Sequence, residues 1–296
     1  MSDPKLFGNL FLGIGAMKAG TTWAYAVLER HPELFFTPEK ELHYFYHRYV
    51  NSAQLGEANR LRNARERYLL KFDPDKANID RIRQNLHWVS AYLNGPVDDH
   101  WYAGLFQMRR HHRYACDFSN LTAHVPARAW PRISDNCATL RVMFTMRDPL
   151  ARLWSHVKFH LQVTGRLALL DNWTPAECEA FARQPFIWDN GEYGAVLGRL
   201  KAGLAADQWR AFFYEDIHTD ERAMLRGIED FLGIAPFDYP DTLLTHRPTQ
   251  SAHRPMPAWF ADLFADDIAR IHRAVEDEGF TLPATWAKGS AGSAAE

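Results

Sequence analysis

Near its start the chain reads Leu10-Phe-Leu-Gly-Ile-Gly15-Ala-Met-Lys18-Ala-Gly20-Thr21-Thr22-Trp23. The apolar residues that open this stretch predict a short buried strand, and the apolar spacing after Thr21 predicts a helix that ends before Pro32. A glycine-rich loop therefore joins a strand to the start of a helix. Backbone N–H groups without partners and the helix dipole favour a bound phosphate at such a position.

The loop differs from the P-loop of nucleotide triphosphatases in the place of its lysine. Gly15, Gly20 and Thr22 fit the pattern G-x-x-x-x-G-K-[ST], but Thr21 occupies the lysine position. The lysine lies three residues earlier, at Lys18. An ATP-dependent kinase of the P-loop class is therefore one alternative, and an ordinary glycine turn with a solvated lysine is another.

A second candidate anion site follows another predicted strand. The apolar run Arg141–Met146 ends in Arg147 and then Asp148, whereas a kinase needs a strand-end Asp for magnesium. An arginine at the carboxyl end of a parallel strand faces the ligand crevice, and Ser155 on the next helix can point the same way. The alternative is a structural Arg147, paired with Asp148 or Glu215, and a plain helical serine.

Strands and helices alternate along the rest of the chain. Further strands are predicted at Leu34–Phe36, Arg113–Phe118 and Trp209–Tyr214, and further helices at Tyr193–Ala206 and Pro257–Asp277. This alternation indicates an α/β fold with a mainly parallel sheet flanked by helices. We expect one domain over residues 1–287, with a helical insert at about 46–100, and a disordered tail over 288–296 because that segment is small and polar.

Composition narrows the classes of partner. The 34 basic and 36 acidic residues nearly balance, so the protein has no large net positive charge that would attract nucleic acid. Three cysteines without a C-x-x-C pair are typical of a reducing compartment and give no structural zinc pattern. The apolar run near the start is too short to span a bilayer and lacks the features of a signal peptide. We expect a cytoplasmic protein with no transmembrane segment; the oligomeric state is left open.

Together the two anion motifs resemble the sulfotransferases that use 3'-phosphoadenosine 5'-phosphosulfate (PAPS). The stretch Gly15–Trp23 is similar to the 5'-phosphosulfate loop of that family, and Arg147-Asp-Pro-Leu-Ala-Arg-Leu-Trp-Ser155 is similar to its 3'-phosphate site. The resemblance runs from about Leu10 to Pro257 and implies a P-loop-like three-layer fold. It also implies donor-binding roles for Lys18, Ala19, Gly20, Thr21, Thr22, Arg147 and Ser155.

The segment Lys40-Glu-Leu-His-Tyr-Phe45 is similar to the K-E-x-H-F/Y-F motif of the glycosaminoglycan-type branch. In that branch the glutamate is thought to deprotonate the acceptor. The resemblance therefore implies Glu41 as the general base, with His43 as the second choice. Without the motif, an ion pair between Lys40 and Glu41 would be the simpler interpretation.

Two further similarities are weaker. Ser251-Ala-His-Arg254-Pro-Met-Pro257 resembles the S-K-G-R-x-Y-P nucleotide loop of that branch, although Ala252 and His253 replace its lysine and glycine. This similarity places Ser251 and Arg254 near the 3'-phosphate. Asp117-Phe-Ser-Asn-Leu-Thr-Ala is loosely similar to the acceptor-side segment E-K-T-P-x-Y, but the proline and the tyrosine are missing. The class of acceptor is therefore left open.

The function implied by the resemblance is transfer of the sulfuryl group of PAPS to a hydroxyl or amine. The acceptor would be a small molecule or a carbohydrate, and the product of the donor would be 3'-phosphoadenosine 5'-phosphate (PAP). Lys18 is expected to stabilise the leaving phosphate, and no metal is expected. A non-catalytic nucleotide-binding protein that keeps the loop is an alternative beside the kinase.

Overall fold

A parallel sheet of five strands carries the glycine-rich loop at its centre. The computed structural model describes residues 5–69, 78–246 and 253–288. Its strands are β1 (Gly8–Gly13), β2 (Leu34–Phe36), β3 (Tyr114–Phe118), β4 (Cys137–Met146) and β5 (Trp209–Phe213). They lie in the order β2-β3-β1-β4-β5, and every neighbouring pair is parallel.

Helices connect the strands and cover both faces of the sheet. They are α1 (Thr21–Leu28), α2 (Tyr44–Tyr49), α3 (Glu57–Ala64), α4 (Ile79–Leu93), α5 (Asp99–Gly104), α6 (Trp130–Asp135), α7 (Pro149–Val163), α8 (Pro175–Ala182), α9 (Pro185–Trp188), α10 (Tyr193–Gly203), α11 (Asp216–Thr219), α12 (Glu221–Leu232), α13 (Asp241–Leu244), α14 (Ala258–Asp277) and α15 (Ala284–Lys288). A π-helical turn, Arg65–Leu69, follows α3.

Side chains alternate across the sheet and build a core on each face. On β1, Leu10 and Leu12 pack in one core with residues of α5, α6 and α10. Phe11 points to the other face and packs with residues of α1 and α12. Burial on both faces explains why the strand is apolar along most of its length, as is usual for parallel sheets. The predicted α/β fold with a mainly parallel sheet between helical layers is confirmed.

The strand order brings five loops together at one edge of the sheet. Strand β1 lies between β3 and β4, so the connections on its two sides diverge and open a crevice at the carboxyl ends. The glycine-rich loop follows β1, and Lys40 to His43 follow β2. Ser119 and Asn120 follow β3, Arg147 follows β4, and Tyr214 follows β5. Every strand of the sheet thus delivers candidate functional residues to the same edge.

The starts of helix α7 and strand β4 have clear physical causes, and the strand start departs from the prediction. Helix α7 begins at Pro149 because Asp148 caps it, its carboxylate accepting from the Ala151 N–H at 2.7 Å. Strand β4 starts four residues before the predicted Arg141, since its first part also pairs with β1. In the helical insert, α4 buries Trp88, Val89 and Tyr92.

In the insert, the helical spacing of Ile79, Ile82, Leu86 and Val89 predicts an apolar helix face, and the structure buries only part of it. Ile79 and Leu86 follow the helical spacing, yet their side chains are 79% and 50% exposed. Helix α15 ends at Lys288, and the other residues of the predicted tail, 289–296, lie outside the described residues. Of the helices in the described ranges, none is both long enough and apolar enough to cross a membrane.

Candidate functional site

The glycine-rich loop after β1 is held against the end of β4. The Ala16 N–H donates to the Thr145 carbonyl at 2.7 Å, and the Thr145 N–H donates to the Gly15 carbonyl at 2.8 Å. Gly20, which precedes α1, has φ 79°. A Cβ at this position would lie 2.6 Å from Ile217 Cδ1. Only glycine fits this left-handed, crowded position, which leads the chain into the uncapped start of α1.

Lys18 lies in this loop with a left-handed backbone, φ 70°. Its ammonium lies over the ring of Phe159, 4.5 Å from the centroid. Burial, together with the smaller effects of the positive charges of Arg147, Lys158 and Lys40, lowers the pKa of Lys18 to about 8. A positive charge that is partly desolvated and close to other cations is stabilised when an anion binds beside it, so this part of the loop favours anion binding.

Arg147 lies beside the same loop. Its Nη1 donates to the Lys18 carbonyl at 3.2 Å, and its guanidinium lies over the Tyr214 ring at 4.4 Å. Its own carbonyl accepts from the Tyr193 hydroxyl at 2.8 Å. Among the described residues no ion pair joins Arg147 to either carboxylate considered from the sequence: Asp148 caps α7, and Glu215 accepts from the Asp148 backbone N–H at 2.9 Å.

The same helix, α7, carries Ser155, which the sequence assigned to the donor site, and Lys158, whose charge interacts with that of Arg147. Ser155 is buried, and Lys158 follows it by three residues. The Lys158 ammonium donates to the Arg254 carbonyl at 3.3 Å, and burial together with Arg147 lowers its pKa. The Arg254 guanidinium pairs with Asp171 at 2.8 Å, whereas the predicted Ser251 lies outside the described residues.

Glu41, after β2, is held by Lys40 and by Asn120, which follows β3. Its Oε1 accepts from the Lys40 ammonium and, at 2.8 Å, from Asn120 Nδ2. Its Oε2 accepts from the Asn120 backbone N–H at 2.8 Å. The ion pair with Lys40 considered from the sequence is therefore present, and it coexists with a second anchor that the sequence did not predict.

His43 lies next to this carboxylate with φ 58°. Its Nδ1 is 3.8 Å from Glu41 Oε2, and its backbone N–H donates to Ser119 Oγ at 3.0 Å. Burial lowers the pKa of His43, against the opposing effect of Glu41. Ser119 in turn donates to the buried Asp117 at 2.6 Å. The left-handed backbone of His43 is therefore fixed from the end of β3.

Asn120 joins the two sides of the site. Its Oδ1 accepts from the Thr21 hydroxyl at 3.3 Å, while its two N–H groups hold Glu41. The Thr21 hydroxyl is thus directed to Asn120, so that an anion at the start of α1 would meet the Thr21 backbone N–H and the half-buried Thr22. The predicted loop residues Ala19 and Gly20 complete this turn between Lys18 and the helix.

Asn120 and Lys158 are the candidate functional residues that the sequence analysis missed. Lys158 could have been found, because its spacing of three from Ser155 puts both on one face of a helix. Asn120 lies in the segment that begins at Asp117 and was compared with the acceptor side, but its contacts could not be predicted, because it is 99 residues from Thr21 and 79 from Glu41 and no local pattern links such distant positions. Within the described ranges no three His, Cys, Asp or Glu side chains are grouped so as to hold a metal ion.

The chain is similar to known sulfotransferases. Residues 11–239 match the Sulfotransferase family. Carbohydrate sulfotransferase 15 of Homo sapiens is 25% identical over 314 residues, which cover 93% of this chain and 54% of that protein. Membrane-associated sulfotransferase kil1 of Dictyostelium discoideum is 24% identical over 299 residues, covering 80% and 59%. The chain thus spans about half the length of the curated relatives it matches.

Solved structures share the fold. A sulfotransferase from Alicyclobacillus acidocaldarius superposes with a TM-score of 0.62 at 18% identity, covering 94% of this chain and 98% of that one. The sulfotransferase domain from the curacin biosynthetic pathway superposes with a TM-score of 0.56 at 18% identity, covering 93% and 99%. Since the family match extends over more than half of the sequence, the chain belongs to the sulfotransferase family.

Proposed function

We propose that this sulfotransferase takes its sulfuryl group from PAPS and transfers it to a hydroxyl or amine of a carbohydrate. The observation that supports this most is the connection between the two halves of the site. The Glu41 carboxylate lies two hydrogen bonds, through Asn120, from Thr21 in the glycine-rich loop. An acceptor base and an anion-binding loop are therefore held in one rigid frame, as transfer between two bound substrates requires.

The residues present fit a nucleotide that carries several negative charges. Gly20 gives the loop a left-handed backbone at a point where a side chain would collide with Ile217, directly before the uncapped start of α1. Lys18, Arg147 and Lys158 supply positive charge close enough for Lys18 to be affected by both of the others. In the proposal Lys18 and the start of α1 hold the 5' side of the donor, and Arg147, Ser155 and Lys158 hold the 3'-phosphate.

PAPS, when bound, supplies the sulfuryl group together with a phosphate as leaving group. The ammonium of Lys18 would stabilise the negative charge that grows on that phosphate as it departs. Desolvation strengthens this interaction, because a charge in a less polar environment is less screened. Lys18 should therefore matter more for turnover than for binding.

Glu41 is the proposed general base. A carboxylate has roughly four acceptor positions, and the contacts of the described chain use three, leaving one on Oε2. That oxygen could accept a proton from the acceptor hydroxyl, a contribution of roughly 10²–10⁴-fold to the rate. His43, neutral at physiological pH because its pKa is lowered, is the alternative base.

The carbohydrate acceptor is proposed from the relatives and not from the shape of the site. Carbohydrate sulfotransferase 15 is similar over almost the whole of this chain, though the chain covers only 54% of it.

The intracellular location inferred from the three cysteines stays a prediction. All three are free and buried.

Two measurements test the proposal. PAP should raise the melting temperature of the protein by several degrees, and ATP with magnesium should not. The opposite result would favour the kinase and contradict the PAPS assignment. Transfer from radiolabelled PAPS should then be measured on oligosaccharides with free hydroxyls or amines and on simple phenols. Labelling of phenols alone would contradict a carbohydrate acceptor.

A further inference from the structure

Asn120 uses its side-chain oxygen, its side-chain nitrogen and its backbone N–H in hydrogen bonds. Its side chain is buried, and its amide oxygen and amide nitrogen face groups of opposite hydrogen-bonding character. The nitrogen must face Glu41, because a carboxylate only accepts, and the oxygen then faces the Thr21 hydroxyl, which can donate. The orientation of the amide is therefore fixed by its partners.

The backbone of Asn120 adds a second donor to the same carboxylate. Its N–H lies 2.8 Å from Glu41 Oε2, and the side-chain nitrogen lies 2.8 Å from Oε1. Two donors from one residue hold both carboxylate oxygens, which fixes the plane of the group. This N–H is itself anchored, since the preceding Ser119 donates its N–H to the carbonyl of Gly13 at 2.9 Å, directly before the glycine-rich loop.

We propose that Asn120 is a positioning residue that couples the donor loop to the general base. This inference rests on the proposed function of Glu41. Asn120 has no reacting atom to contact; it orients the Glu41 carboxylate and connects it to Thr21, the first residue of α1. A shift of α1 on donor binding would pass through the Thr21 hydroxyl to the base.

Two substitutions of Asn120 separate its contributions. Asn120→Asp keeps an acceptor for Thr21 but replaces the donor to Glu41 by a like charge. Asn120→Leu has nearly the same size and removes both side-chain contacts, while the backbone N–H remains. Thr21→Val removes only the hydroxyl of the loop residue and leaves its backbone N–H for an anion. Thr21→Ser restores that hydroxyl.

The kinetic results should differ between these variants. We expect Asn120→Asp to lower kcat by about 30- to 100-fold and Asn120→Leu by about 10-fold, with PAP affinity in both changed by less than about threefold. The acidic limb of the kcat–pH profile should move to higher pH in Asn120→Asp. Thr21→Val should lower kcat by about threefold or more, and Thr21→Ser should recover most of the loss. An unchanged kcat and pH profile in Asn120→Asp would overturn the inference.

A double-mutant cycle without any donor tests the contact itself. The unfolding equilibrium constant is measured in urea for the wild type, Asn120→Asp, Glu41→Gln and the double variant. We expect Asn120→Asp to raise the unfolding constant by a factor at least ten times larger when Glu41 is present than when it is replaced by Gln. In the Glu41→Gln background the new aspartate no longer faces a negative charge. Equal effects in both backgrounds would overturn the coupling.

The failure of this inference can be told apart from the failure of the proposed function. If PAP does not stabilise the wild type, the proposed function itself fails. If PAP binds and sulfate is transferred while the cycle shows no coupling, only this inference fails.

Discussion

The guanidinium of Arg147 donates to the backbone carbonyl of Lys18, 3.2 Å away, so the strand-end arginine holds the very loop that carries the lysine. The two cations that the sequence assigned to separate ends of a nucleotide are thus in direct contact through the main chain. Arg147 is also the charged neighbour with the largest effect on the pKa of Lys18, second only to burial. Burial, with Arg147 as the second contribution, therefore makes the charge of Lys18 sensitive to pH in a range that can be measured.

PAP binding should weaken above pH 8. The pKa of Lys18 is lowered to about 8 in the free protein, and a bound phosphate should raise it again. Binding must then take up a proton at pH values above 8, so the affinity should fall by up to about tenfold per pH unit. Calorimetry at pH 7, 8 and 9 in buffers of different ionisation heat measures both quantities. Lys18→Arg stays charged throughout and should bind with an affinity that varies little over the same range.

Gly20 should be far less replaceable than another glycine with the same backbone. Gly20 and Gly165 have φ of 79° and 68°, but of the two only Gly20 has neighbours within 4 Å of the place that a Cβ would take. Gly165→Ala should cost about 1 kcal/mol for the left-handed backbone alone and leave PAP binding intact. Gly20→Ala should cost about 1–3 kcal/mol more, because the new methyl collides with Tyr214 and Ile217.

The functional effect of Gly20→Ala follows from Tyr214. That ring carries the Arg147 guanidinium on its face, so displacing it should also move Arg147. We expect at least a tenfold loss of PAP affinity, measured by calorimetry below the melting temperature of the variant. Equal behaviour of the two alanine variants in unfolding and in binding would contradict the assignment of Gly20 to the donor site.

Lys158 should contribute to donor binding. The side chain is half-buried, and burial together with Arg147 lowers the pKa of the Lys158 ammonium. The ammonium therefore lies close to the other cations of the site. Lys158→Ala should weaken PAP binding by about tenfold, the usual value of one charge-assisted hydrogen bond. Lys201→Ala is the matched control, because Lys201 is exposed and paired with Glu278. If both variants bind PAP equally well, Lys158 has no role in the donor site.

Asp117 should make the protein less stable as the pH rises from about 4 to about 6. Burial raises the pKa of this carboxyl to about 6 from its ordinary value of 3.8, despite the hydrogen bonds from Ser119 and Tyr102. The folded state therefore holds a proton that the unfolded state has lost, and stability is lost as that proton leaves, by as much as about 3 kcal/mol. Asp117→Asn should remove this part of the pH dependence. Urea unfolding at pH 4, 5, 6 and 7 measures it, and parallel curves for both proteins would contradict the prediction.

Local sequence patterns were sufficient for the strand–loop–helix unit around Lys18 and for the end of the strand that precedes Arg147. Each depends on residues within one or two turns of each other, where period and glycine placement are informative. The buried face of α4 was not predictable in the same way, because it is chosen by what packs against the helix. The roles of Lys18, Glu41 and Arg147 stay predictions until the variants are measured.

The order of the strands explains why the rest of the site was hidden. Glu41 and Asn120 follow strands β2 and β3, which are neighbours in the sheet, although the two residues are 79 positions apart along the chain. Their contact depends on register between strands, and a register has no signature in either segment alone. Structure was therefore needed to see that Asn120 connects the candidate base to Thr21.

In the described part of the chain, the residues other than glycine with positive φ are Lys18, Glu41 and His43, all at the site. Each has a backbone conformation that glycine or asparagine would adopt more easily, at a cost of about 1 kcal/mol per residue. Glycine at any of the three should therefore be tolerated by the fold, and at Lys18 or Glu41 it should also remove the group proposed to stabilise the leaving phosphate or to act as the base. A selection for heat resistance alone would favour replacing these side chains, because glycine relieves the backbone strain at each position. Such a selection on this protein therefore needs a screen for sulfate transfer at every round.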